Sequence, residues 1–193
     1  MLKRLLNIGF VSSVIIIVFH VLIGFIKLFG FIHILSNLYI KYFILGLSSC
    51  LYLLVFLILW RLLVKIYNQS QLNLLLKSII IISVLIDLIE ILRFIPISQK
   101  IAFVLSIIVF VLYLIFINYL SEIDKSEVPE IEQLKNYSLA FLLSLFSFLI
   151  LAVLEVVFKI KNLHFLIDFI YAIPFVFIGL FFKNTKQNIK QGK

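Results

Sequence analysis

From Ile101 to Leu120 no side chain carries a charge, and Ile, Leu, Val, Phe and Tyr make up nearly all of the run. A helix of that length rises roughly 30 Å, the thickness of the hydrocarbon core of a bilayer. Comparable apolar stretches cover 7–26, 42–60, 74–94, 138–158 and 163–182. The spacing predicts an all-α integral membrane protein, a compact bundle of about six transmembrane helices. The third stretch is the least apolar because it contains Asp87 and Glu90. Omitting it would leave an isoleucine-rich segment in water, so it is counted as a span.

Composition agrees. The chain is 64% hydrophobic and 13% charged, with a mean hydropathy of +1.26, far from a soluble globular domain. The longest polar interruption is 121–136, so 1–193 is read as a single polytopic membrane domain. A basic start followed by an apolar run resembles a signal peptide, but no small-residue cleavage site follows, the first alanine being Ala102. The segment is read as a retained first helix.

The net charge of +8 comes from Lys and Arg that collect at helix ends. That pattern points to orientation and lipid headgroups rather than nucleic acid. With the amino terminus inside, eleven of the seventeen basic residues fall on the cytoplasmic side. Both termini are therefore expected in the cytoplasm of a bacterial inner-type membrane. The loop 121–136 is acidic and cytoplasmic, and Pro129 followed by Glu130 and Glu132 reads as the first turn of the fifth helix. The tail 183–193 is basic and is expected to be disordered against the anionic leaflet. The segment 27–41 is too interrupted to cross and is expected along the outer interface. Pro96 is expected to end the third helix and Pro174 to kink the sixth. A faint echo relates spans two and three to spans four and five: each pair has a basic residue, Lys77 or Lys135, and a carboxylate, Glu90 or Glu155, in matching places.

Ionisable groups inside the spans are the candidate site. Ser83, Asp87, Glu90 and Arg93 share one helix face by their spacing of four and three. Glu155 shares a face with Ser144 and Ser147; His164, Asp168 and Tyr171 form a stripe; Ser13, His20, Gly24 and Lys27 form another. All four acids fall in the outer half of the expected spans. Isolated charge in hydrocarbon costs roughly 2.5 to 3.5 kcal/mol at a helix centre, so these groups should pair or face water. Arg93, Lys159, Lys27, His20 and His164 are the available partners, and Asp87 and Asp168 have no Lys or Arg within four positions on their own helices.

No catalytic or metal-ligand spacing is present, and no cofactor is expected. The histidines lie on too many segments for a haem site, no HExxH occurs, and the serines lack a nucleophile context, so hydroxyl back-bonding within helices is expected of them. Cys50 is read as a small core residue, and Gly46, Ser48, Ser49 and Cys50 as a small patch for helix contact. The expectation is a non-enzymatic membrane subunit or scaffold acting through helix contacts, with the bilayer and a protein partner or second copy as its neighbours. The alternative is a small transporter or channel subunit whose Asp87, Glu90, Glu155 and Asp168 form an outward-facing cation or proton site.

Overall fold

The computed structural model describes residues 2–31, 33, 35, 37–91, 96–157 and 164–191; the side chains of Asp87, Glu90, Glu155 and His164, and all of Arg93, lie outside that description. Six α-helices follow in order: α1 (Leu2–Leu28), α2 (Leu38–Trp60), α3 (Leu72–Ile91), α4 (Pro96–Glu122), α5 (Ile131–Val157) and α6 (His164–Gln191). A π-helical segment, Arg61–Ile66, continues α2 past the apolar run. No strand occurs among the described residues. Four helical stretches are long and apolar enough to cross a membrane: Leu2–Leu28, Tyr42–Ile66, Val104–Glu122 and Phe165–Ile189. Leu72–Ile86, within α3, is a shorter apolar stretch.

Helix ends follow local chemistry. Gly30 adopts φ +77°, and the N–H groups of Gly30 and Phe31 reach back to the carbonyls of Lys27 and Ile26. This αL glycine closure satisfies carbonyls that the end of α1 would leave open. After the π segment, the N–H groups of Tyr67 and Gln69 bond the carbonyls of Leu62 and Leu63, and Asn68 takes φ 56°. Asparagine is one of the few side chains at ease there.

Two prolines stand differently from their sequence reading. Pro96, read from sequence at the end of α3, is the first residue of α4, and residues 92–95 between the two helices lie outside the described residues; at a first helical position its missing N–H costs nothing. Pro129 precedes α5 by two residues instead of lying in its first turn, which begins at Ile131 and carries Glu132. The tail is a third correction. Residues through Gln191 continue α6 instead of being disordered. Packing explains it: Phe181, Phe182 and Thr185 are buried, Asn188 donates from Nδ2 to Glu130 Oε1, and Lys186 bonds Asn7. Cys50 is the fourth, being exposed. Leu47, Leu54 and Leu57, at spacings of three, four and seven from Cys50, are exposed on the same face of α2, so that face has no protein core beside it.

The chain divides into two compact units. One comprises 1–41 and 130–193, hence α1, α5 and α6; the other comprises 42–129, hence α2, α3 and α4. In the first, α1 and α5 both run antiparallel to α6, with Phe175 against Tyr137 and Phe182 against Gly9. In the second, α3 packs on α4, Phe56 of α2 meets Tyr113 of α4 edge to face, and Trp60 donates to Asn73 at 2.9 Å with Lys77 over its ring. Gln69 holds Glu127 of the acidic loop at 2.7 Å within this unit. Of the two hairpins related by the sequence echo, α2 and α3 fall in one unit, whereas α4 and α5 fall in different units.

Candidate functional site

The face that α1 turns to α6 can be read from its spacing: Leu6, Gly9, Ser13, Ile16, His20, Gly24 and Lys27 recur every three or four positions. Leu6, Gly9, Ser13, Ile16 and Gly24 are all buried. Small residues let the helices close. A Cβ added at Gly9 would sit 2.9 Å from the Phe182 ring, and one at Gly24 would sit 2.9 Å from the Phe169 ring. Ser13 turns its hydroxyl back to the Gly9 carbonyl at 2.8 Å, so its burial leaves no unmet donor.

At one end of this contact lies the charged pair. Lys27, in the last turn of α1, places Nζ 2.7 Å from Asp168 Oδ2. The Asp168 side chain is 12% exposed and that of Lys27 30%. A cation in a last helical turn also complements the negative end of the helix dipole. His20 Nδ1 is 4.0 Å from the other carboxylate oxygen, beyond hydrogen-bond reach, and its ring stacks toward Tyr171 at 6.2 Å between centroids. Of the partners available to Asp168, the fold supplies Lys27, with His20 flanking. Electrostatically the arrangement is a neutral tie between two helices, with an imidazole next to it.

The other candidate residues are placed only in part. Asp87 and Glu90 lie on α3, in the unit of α2 to α4, whereas His20, Glu155, His164 and Asp168 belong to the unit of α1, α5 and α6. The orientations of Asp87, Glu90, Glu155 and His164 and the place of Arg93 fall outside the described residues. Among the described residues no three His, Cys, Asp or Glu side chains group as metal ligands.

A second polar contact was not anticipated. Pro174 lies within α6 and has no N–H to offer the Ile170 carbonyl four residues earlier. The one hydroxyl hydrogen of Ser144 on α5 is shared between that oxygen, at 3.2 Å, and the nearer Ala140 carbonyl of its own helix, at 2.8 Å. Beside it a groove of about 360 Å³ runs between α5 and α6, lined by Leu139, Leu143, Ser144, Ser147, Ile173 and Phe177 among others. The signal was present in the sequence as a proline inside an apolar helix; the helix that would answer it was not. Comparison with protein families, curated proteins and solved structures gives no match.

Proposed function

We propose that this chain is a non-enzymatic membrane subunit or scaffold that works through lateral helix contacts. The observation that carries the reading is the Lys27–Asp168 pair: a buried carboxylate engaged by an ammonium at 2.7 Å joins two helices and is already neutralised. A transport or catalytic carboxylate needs access to its ion or proton, whereas a structural one needs a partner. The small patch on α2 supports the same reading. A Cβ added at Gly46 meets nothing within 4 Å, Ser48 and Ser49 turn their hydroxyls back to the Leu45 carbonyl, and Cys50 is exposed. Such a surface suits close approach by another membrane helix.

In this reading the chain has six spans, with α3 and α5 crossing beside the four longest apolar stretches. The Asn7–Lys186 contact joins the terminal turns of α1 and α6, which supports both termini lying on one side, taken here as the cytoplasm of a bacterial inner-type membrane. The test uses Cys50, the one cysteine of the sequence. Oxidative or bifunctional cross-linking in native membranes should give one discrete adduct, to a second copy or to another membrane protein, that Cys50→Ser abolishes. The competing reading is the outward cation or proton site. Cation or proton flux in liposomes that Asp168→Asn removes, with no adduct at Cys50, would overturn the subunit reading in its favour.

A further inference from the structure

Between the polar ends of α1 and α6 a cavity of about 260 Å³ is lined by Asn7, Phe10, Lys183, Lys186 and Gln187. Its electrostatics are one-sided. Lys183 and Lys186 lie one turn apart on α6, Lys186 is held by the neutral amide oxygen of Asn7, and among the described residues no carboxylate pairs with either ammonium. Lys3 lies one turn before Asn7 on the same face of α1 and is exposed. Depth fixes the level of the cavity: Phe169–Phe182 carries no charge, and Lys183 is the first charged residue after it. Cations at that level sit where a leaflet carries its phosphates.

The surface beside the cavity is apolar and open. Val176 and Leu180 on α6 precede Lys183 by seven and three positions and are exposed by 44% and 38%, and Val14, four residues past Phe10 on α1, is exposed by 39%. Headgroup chemistry and a hydrocarbon track therefore adjoin. We infer that this cavity binds the phosphate of an anionic phospholipid, with an acyl chain lying along Val14, Val176 and Leu180. A free phosphate shares the headgroup chemistry but makes no use of the track. The inference rests on membrane insertion alone and not on the subunit reading.

The test measures lipid retained by the purified full-length protein in mild detergent, by native mass spectrometry, with phosphatidylglycerol and phosphatidylcholine as probes. Phosphatidylglycerol should be retained preferentially. Lys183→Gln should weaken it about fivefold and the double variant Lys183→Gln/Lys186→Gln about 25-fold, the effect of one and two basic side chains at a membrane surface. Lys183→Arg/Lys186→Arg should retain it. Among the described residues Lys183 makes no hydrogen bond or ion pair and it is exposed, so its single replacement leaves packing intact and reads the site even where the double variant is unstable. Equal retention of the two lipids, or undiminished retention in Lys183→Gln, overturns the inference. Displacement of the lipid by millimolar inorganic phosphate also overturns it, assigning the cavity to a soluble phosphate.

Discussion

Asp168 shows how an acid survives in an apolar helix: its charge is answered from a helix 141 residues away in sequence. Lys27→Met leaves that carboxylate without its cation and should destabilise the protein by about 3 kcal/mol, the lower end for a broken buried pair because Lys27 is partly exposed. The double variant Lys27→Met/Asp168→Leu should recover most of the loss. Reversible unfolding in detergent measures both, and a harmless Lys27→Met would remove the pair from the fold's energetics. Glycines give a second contrast. Gly24→Ala drives a methyl into the Phe169 ring and should cost about 1 kcal/mol, whereas Gly46→Ala meets open space and should gain up to ~1 kcal/mol of helix propensity. At this scale the sequence carried the identity of the unusual residues and the stripes they share. It did not carry which stripes meet, because periodicity fixes a face on one helix and says nothing of the helix opposite.

Among elements, α5 and α6 meet where Ser144 shares its one hydroxyl hydrogen between the Ala140 carbonyl and the Ile170 carbonyl that Pro174 leaves open. Ser144→Ala should cost about 0.5 to 1 kcal/mol by leaving the Ile170 carbonyl unanswered. In a Pro174→Ala background that cost should vanish, since Ala supplies the N–H that Ile170 lacks; a double-mutant cycle reads the coupling. Equal costs in both backgrounds would show that Ser144 acts only on its own helix. Helix existence was legible from apolar run length, as in α4. Helix ends were less so: the polar composition of 183–191 argues against order, and only packing of Thr185 and Phe182 against neighbouring helices reverses that preference. Pro96 likewise fits the end of one helix or the start of the next, and sequence alone offers no way to choose.

For the whole molecule, the division into units predicts how a cut chain behaves. A specific protease site inserted after the exposed Lys125 would separate α1 to α4 from α5 and α6. The fragments should stay together in mild detergent because α1 and α6 belong to one unit, and Lys27→Met should loosen them. Fragments that separate at once in the unsubstituted chain would show the α1–α6 contact to be weak. The presence of helices long and apolar enough to cross a membrane was legible from composition and run length; the grouping of helices was not, since it depends on contacts between segments far apart in the chain.

That grouping has a consequence for synthesis. At about 5 to 20 residues per second, the ribosome needs on the order of ten seconds to travel from Lys27 to Asp168. Throughout that interval α1 exists without the helix whose Asp168 meets its ammonium and whose Phe169 and Phe182 cover its glycines. The contact that closes the unit of α1, α5 and α6 can therefore form only after α2 to α5 have been made, so the first helix made is completed by the last.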